Sequence, residues 1–455
     1  MRTPEPGTPE SRAARSQIGV RESVCRFAPK VGMVIATAAL AWLAAASGPG
    51  WVLPILTLLG CLALVLLSPS LRAIAPFSAG LLLILSSSFS LIPEGSALIS
   101  TGVRVIGLGL IALSGAQRVS RSSAFIAECK ASTLQMRVWL PWLTSSLLVY
   151  LLLAAAFHGQ WLSFVLYLSG LALLVVAIVI TATRVPIETV AKAVVSALAI
   201  LAVLSLIYAL ALPTEGIEGG RLRGLTGNAN TLGFYAFLLG SLALIVVRRF
   251  SVKAALFTLS VIVLIGTSSR ASALALTVVV LGVFLTRRSA TTVIAVFGLL
   301  IAGVVLSMAW PDSLAVLDGL LRDNNSRSGS LDVTAEAFRS SPIVGVGLAA
   351  DQLVIASSPL RALAYAGLGG LVSVIVLWLC ILVPSRKVGI PAIGFAVAAI
   401  VHSLFEGWLL SPVSPLLLVF VFSWWVIIRT PPASPVVSSI RRPHTSRSHR
   451  KATPT

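Results

Sequence analysis

Two stretches of the sequence place arginine beside glycine, asparagine and acidic residues. The first, 212–230, contains Arg221 and Arg223, and the second runs from about 311 to 361. A guanidinium stays charged at any relevant pH and meets phosphate through two parallel hydrogen bonds, so both stretches predict a site for a diphosphate group. The alternative is that these arginines only fold their own segments by pairing with nearby acids, which are Glu215, Glu218, Asp323, Asp332 and Glu336.

A second chemical candidate is the pair His402 and Glu406, which lie four residues apart in an apolar run. In a helix this spacing puts both side chains on one face. Histidine and glutamate are common general bases, and ionisable groups within a membrane segment seldom face lipid. We therefore predict His402 and Glu406 as catalytic residues, with a polar contact that locks helices together as the alternative.

The elements that position these residues are apolar runs. The chain has 455 residues, of which 57% are hydrophobic and 11% charged, too few charges to cover a water-soluble surface. A helix needs about 20 apolar residues to cross a bilayer. Runs that approach this length start near residues 31, 50, 73, 98, 138, 161, 190, 231, 254, 271, 291, 362, 390 and 411. The sequence thus predicts an all-α, polytopic integral membrane protein with about 12–14 transmembrane helices across 31–428.

Basic residues in the connections predict the orientation. With a cytoplasmic amino terminus, 26 of the 34 basic residues fall inside. The net charge of +19 therefore follows from topology, and no nucleic-acid partner is expected. The basic tails 1–30 and 429–455 are predicted to be disordered and cytoplasmic, against membrane lipids. Eight arginines fall outside: Arg104, Arg221, Arg223, Arg270, Arg322, Arg327, Arg339 and Arg361.

Within the large outer segment, 311–361, apolar residues recur at helical spacing between Leu331 and Phe338. Ser330 suits a helix cap, and Pro342 stops the run. We predict a short amphipathic helix over 331–340 that lies on the membrane surface. The glycine-rich segment 341–347 follows it and predicts a bend where backbone can approach a ligand closely.

Four cysteines are spread along the chain without a CxxC pair or a neighbouring histidine: Cys25, Cys61, Cys129 and Cys380. This spacing predicts no metal site, and the sequence has no nucleotide-binding loop. We expect neither a metal nor a cofactor.

Four segments together resemble the O-antigen ligase and O-antigen polymerase superfamily of bacterial envelope proteins, over about 190–425. Two of them precede apolar runs: Arg221-Leu-Arg-Gly-Leu-Thr-Gly-Asn-Ala-Asn230 and Thr267-Ser-Ser-Arg270-Ala-Ser. The others are Ser326-Arg327 followed by 331–347, and His402-Ser-Leu-Phe-Glu406. The resemblance depends on the order, spacing and shared outward placement of these segments.

The resemblance implies a glycosyltransferase in the bacterial cytoplasmic membrane with both termini in the cytoplasm. It implies metal-independent transfer or polymerisation of a polyprenyl-diphosphate-linked saccharide at the outer face. By the same resemblance the diphosphate would be held by Arg223, Arg270 and Arg327. Arg221 is the neighbouring alternative to Arg223, and Arg339 would brace the outer helix.

One family feature is missing. Ligases of this type usually carry a histidine after the glycine bend, about eleven residues before the next glycine. Counting back from Gly367 leads to the segment 356–358, which is Ala-Ser-Ser, and the large outer segment contains no histidine. This shifts the expectation from a ligase toward a polymerase-like or divergent member. A lipid-linked glycan flippase or other transporter, or a non-catalytic homologue, is the alternative.

Overall fold

The computed structural model describes residues 75–89, 97–114, 123–287, 328–348 and 355–430. The amino-terminal tail, the carboxyl tail beyond Thr430, and the predicted spans that start near 31, 50 and 291 lie outside these residues. Arg327 lies outside them as well.

The described chain is almost entirely helical. Its first helices are α1 (Ala75–Ser86), α2 (Ala97–Ser114), α3 (Ser123–Leu151, continued by a π-helical turn over Leu152–Ala156), α4 (Trp161–Arg184) and α5 (Ile187–Ala211). After α5 come the short α6 (Pro213–Gly216), the two-residue strands β1 (Ile217–Glu218) and β2 (Arg221–Leu222), then α7 (Ala229–Ile245), α8 (Phe250–Thr267) and α9 (Arg270–Arg287). The last helices are α10 (Ser328–Ser340), α11 (Ser358–Arg386), α12 (Ile390–Phe405) and α13 (Pro415–Arg429).

Five of the described helices are long and apolar enough to cross a membrane: Met136–Ala156, Trp161–Arg184, Ile187–Ala211, Phe250–Thr267 and Ser358–Arg386. Further helices are equally apolar but shorter, α7 and α12 among them. The predicted all-α membrane architecture is confirmed at this level. One difference is that α3 begins at Ser123, well before the apolar run predicted to start near residue 138.

Two helices form the centre of the bundle. In α13 every residue from Leu417 to Ile428 is buried, and in α7 all positions from Leu232 to Ala243 are buried. A helix that is buried on every face within a bundle must be surrounded by other parts of the protein. The two central helices therefore fix the positions of the elements around them.

Small residues allow α9 and α12 to approach closely. A Cβ at Gly282 would lie 3.1 Å from the Cα of Gly394, and one at Gly394 would lie 3.2 Å from the Cα of Gly282. Glycine pairs of this kind let helix backbones touch in membranes. The beginning of α9 and the end of α12 also lie side by side, because the Ser272 hydroxyl is 3.1 Å from Nε2 of His402.

Helix α11 is broken at Gly367, where φ is 60° and ψ is −150°. The glycine bend after α10 supplies the hydrogen bonds that the break removes. Leu368 N–H donates to the Pro342 carbonyl at 2.9 Å, and the N–H groups of Val346 and Gly347 donate to the carbonyls of Ala364 and Tyr365. Broken helices are tolerated in membranes when protein satisfies the freed backbone groups. The predicted bend is present, and the backbone that it approaches closely is that of α11.

Candidate functional site

One end of the bundle gathers polar groups from turns that are distant in the sequence. We call it the polar end, and it contains Ser87–Phe89, the 212–228 segment, Ser268–Ser269 and the 406–414 segment. An isolated β-bridge joins Phe89 to Thr226, and Gly227 N–H donates to the Ser88 carbonyl at 2.8 Å. These bonds hold the 212–228 segment against the end of α1.

Arg221 connects three elements at the polar end. Its Nε donates to the carbonyl of Thr267, the last residue of α8, at 2.9 Å. Its Nη2 donates to Oδ1 of Asn230 in the first turn of α7 at 2.6 Å. Strand β2 places Arg221 opposite Glu218 of β1, in a hairpin that turns through two glycines with positive φ. The side chain is half-buried, and its described contacts brace the protein.

Arg223 is occupied mainly by its own segment. Its Nε donates to the carbonyl of Glu215, and its Nη1 lies 3.6 Å from a carboxylate oxygen of Glu218. The Arg223 side chain is 24% exposed. These contacts agree with the alternative interpretation of Arg223, in which the arginine pairs with a nearby acid and folds its own segment.

Arg270 and Arg339 are both exposed. Arg270 is the first residue of α9 and lies two residues after Ser268, whose φ of 46° makes the turn between α8 and α9. It follows the carbonyl of Thr267 to which Arg221 donates, so the structure brings Arg221 and Arg270 to one turn. Arg339 lies in the last turn of α10, the predicted outer helix, which begins three residues before its expected start at 331.

Helix α12 ends at Phe405, so Glu406 is not part of the helix that carries His402, and it has an extended conformation with φ −136° and ψ 139°. The carboxylate reaches α7, where its Oε1 accepts a hydrogen bond from Nδ2 of Asn230 at 3.0 Å. Both side chains nevertheless face the same neighbour, because the His402 ring packs against Phe234 of α7. Its carbonyl accepts from the Ser358 hydroxyl at the start of α11. Glu406 is partly exposed at the polar end.

His402 is 0% exposed. Trp408 donates its indole N–H to Nδ1 of His402 at 3.0 Å, and Nε2 lies 3.1 Å from the hydroxyl of Ser272 in α9. The ring packs against Phe234 and Phe237, with centroid distances of 4.7 Å and 6.1 Å. These contacts agree with the alternative that His402 locks helices together.

Other charged or polar residues at the polar end join neighbouring segments. Arg104 donates to the hydroxyl of Ser87 at 3.0 Å and to the carbonyl of Val413 at 3.2 Å. Arg361 donates to the carbonyl of Gly407 at 3.3 Å. The bonds of Arg104 and Arg361 hold the 406–414 segment to α1, α2 and α11. Outside the polar end, Nε2 of His158 lies 3.3 Å from the carbonyl of Val344 in the glycine bend.

Sequence reasoning missed Asn230, Ser272 and Trp408 as members of the cluster. Asn230 and Ser272 are the last residues of the first and second arginine motifs, and their positions at the starts of predicted helices were a usable signal. Trp408 was hidden in an apolar run. Within the described residues, no three His, Cys, Asp or Glu side chains lie close enough to hold a metal ion.

No protein-family model and none of the curated proteins matches the chain.

Proposed function

We propose that the protein is a membrane glycosyltransferase of the O-antigen ligase or polymerase type, which transfers a glycan from a polyprenyl-diphosphate carrier. The observation that carries the proposal is that Arg221, Asn230, Glu406 and the turn bearing Arg270 converge at one end of an apolar bundle. A lipid-linked donor lies with its tail in the bilayer and its diphosphate at the surface. Charged groups at helix ends suit this position.

Arg270 is the residue best placed to bind the diphosphate. The residue is exposed, and it occupies the amino-terminal end of α9, where the helix dipole also favours an anion. Arg223 is a weaker candidate because its side chain is only 24% exposed and lies beside the negative charge of Glu218. Arg327, one residue before α10 begins, remains a predicted second contact.

Glu406 is the better candidate for the general base. The base must reach the acceptor hydroxyl, and Glu406 is partly exposed whereas His402 is fully buried. In the proposed step the carboxylate takes the proton of the acceptor hydroxyl, and the oxygen attacks the anomeric carbon. The bond from that carbon to the diphosphate oxygen breaks, and the electron pair leaves with the diphosphate. The positive charge of Arg270 stabilises the departing group.

The test is deletion of the gene in its host and complementation with wild type, Arg270→Ala, Arg327→Ala or Glu406→Gln, each checked for expression. Arg248→Ala is the matched control, because Arg248 is an exposed arginine in the turn after α7, at the other end of that helix. Surface glycans and lipid-linked intermediates are compared by gel and mass spectrometry. We expect the deletion to accumulate lipid-linked glycan that wild type and Arg248→Ala clear.

The three site variants should not clear the intermediate. Short chains on the surface would identify a polymerase, and complete chains still attached to the carrier would identify a ligase. Unchanged surface glycans after deletion, or full rescue by all three site variants, would contradict the proposal. Accumulation of the lipid-linked glycan on the inner leaflet would indicate that the protein is a transporter and not a glycosyltransferase.

A further inference from the structure

The Asn230 side chain hydrogen-bonds to two residues from other segments at the polar end, Arg221 and Glu406. Asn230 is the second residue of α7, and its backbone N–H donates to the side chain of Asn228, the N-cap residue, at 2.7 Å. An N-cap bond of this kind fixes the first turn of a helix. The side chain of Asn230 therefore starts from a fixed backbone.

The orientation of the Asn230 amide is determined from both sides. Arg221 can only donate, so the group that faces its Nη2 at 2.6 Å must be Oδ1. The Nδ2 group then faces Oε1 of Glu406 at 3.0 Å, where a carboxylate can only accept. A flipped amide would place two donors together and two acceptors together. The two neighbours thus impose the same orientation.

Arg221 is itself held by the bundle, because its Nε donates to the Thr267 carbonyl at the end of α8. Glu406 is the last residue in this series of hydrogen bonds, and its backbone is also fixed. Its N–H donates to the His402 carbonyl at 3.0 Å, and its carbonyl accepts from Ser358 at 2.6 Å. The Glu406 carboxylate is thereby held relative to α7, α8, α11 and α12.

We infer that Asn230 is a positioning residue that holds the Glu406 carboxylate, and that Arg221 acts through Asn230 rather than by binding the donor diphosphate. The inference rests on the proposed function, and it assigns different roles to Arg221 and Arg270. Arg270 meets the donor, whereas Arg221 orients the base. Misplacement of a reacting group by about 1 Å can reduce a rate by about 100-fold, so loss of this orientation should affect turnover.

A double-mutant cycle tests this division. Lipid-linked glycan extracted from the deletion strain serves as the donor, and initial transfer rates are measured with purified protein in proteoliposomes at varied donor concentration. We expect Asn230→Ala and Arg221→Ala each to lower kcat by about tenfold or more with an unchanged KM for the donor. The double variant should be no slower than either single variant, because both changes remove the same orientation.

Arg270→Ala provides the contrast. It should raise the KM for the donor, and its effect should multiply with that of Asn230→Ala, because the two residues act on different parts of the reaction. Arg248→Ala is the matched control for Arg221→Ala, since Arg248 is an exposed arginine in the turn after α7, at the opposite end of that helix from both links to Glu406. It should keep the wild-type kcat and the wild-type melting temperature.

Asn230→Asp separates the two links and guards against misfolding. It keeps an oxygen for Arg221 but loses the donor to Glu406, so kcat should fall as in Asn230→Ala. Adding Glu406→Gln to Asn230→Asp restores a hydrogen bond in the reverse direction. The double variant should regain thermal stability without regaining activity.

The outcomes separate the inference from the proposed function. A wild-type protein that transfers no glycan overturns both. With an active wild type, an unchanged kcat in Asn230→Ala overturns the inference alone. A raised KM for the donor in Arg221→Ala would also overturn the inference. So would effects of Arg221→Ala and Asn230→Ala that multiply. Either result would indicate that Arg221 binds the diphosphate.

Discussion

Trp408 donates its indole N–H to Nδ1 of His402, and this bond decides which nitrogen of the imidazole carries the proton. An indole N–H can only donate, so Nδ1 accepts and the proton lies on Nε2, toward the hydroxyl of Ser272. The imidazole is neutral in this arrangement. It connects the segment after α12 to the first turn of α9, which begins with Arg270.

Trp408→Phe should lower stability more than activity. The change keeps an aromatic ring but removes the donor to His402, and a buried acceptor left without its donor costs about 1–3 kcal/mol. The measurement is thermal unfolding in detergent together with the transfer assay. Trp142→Phe is the control, because Trp142 is 62% exposed and should be nearly neutral. Loss of activity with unchanged stability would instead favour His402 as a catalytic group.

The helices were predictable because a membrane span requires a long apolar run, which can be recognised in the sequence without any knowledge of tertiary contacts. Expected starts near 161, 231, 271 and 390 correspond to helices that begin at Trp161, Ala229, Arg270 and Ile390. The arginines of the polar end were also found, because positive charge in connections between apolar runs is conspicuous.

The partners of those residues were not predictable. Asn230 and Glu406 are 176 positions apart, and nothing in periodicity pairs them. The end of α12 at Phe405 was not predictable either, because the four-residue spacing placed Glu406 in the same helix as His402. Long-range pairs of this kind depend on how the helices pack, which the local pattern does not contain.

Gly367→Ala should destabilise the protein strongly. The backbone there has φ 60° and ψ −150°, a region that side chains rarely adopt, and a Cβ would lie 2.4 Å from the carbonyl of Ile343. We expect a loss of about 3 kcal/mol or more, combining backbone strain with the steric clash. Gly102→Ala is the control, since a Cβ at this position in α2 meets nothing within 4 Å. Similar melting temperatures for the two variants would contradict the broken form of α11.

Gly282→Val should impair transfer as well as stability. A larger side chain would force α9 and α12 apart where Gly282 meets Gly394, at a cost of about 1–3 kcal/mol for overpacking. Because α9 begins with Arg270 and α12 ends just before Glu406, the separation should also change the geometry of the proposed site. The measurement pairs thermal unfolding with kcat.

Gly109→Val is the matched control for that experiment, because a Cβ at Gly109 meets nothing within 4 Å. It should retain wild-type kcat with only a small loss of stability from the β-branched residue in a helix. Equal kcat in Gly282→Val and wild type would show that the approach of α9 and α12 has no bearing on transfer.

The orientation of the polar end can be tested with single cysteines. Thr214 lies in the 212–228 segment and Ser251 in the first turn of α8; both are exposed, and α8 connects their two ends of the bundle over about 27 Å. In a background without the four native cysteines, we expect a membrane-impermeant maleimide to label Thr214→Cys in intact cells. Ser251→Cys should react only after permeabilisation, because basic turns remain inside. The reverse pattern would place the polar end in the cytoplasm, where transfer at the outer face is impossible.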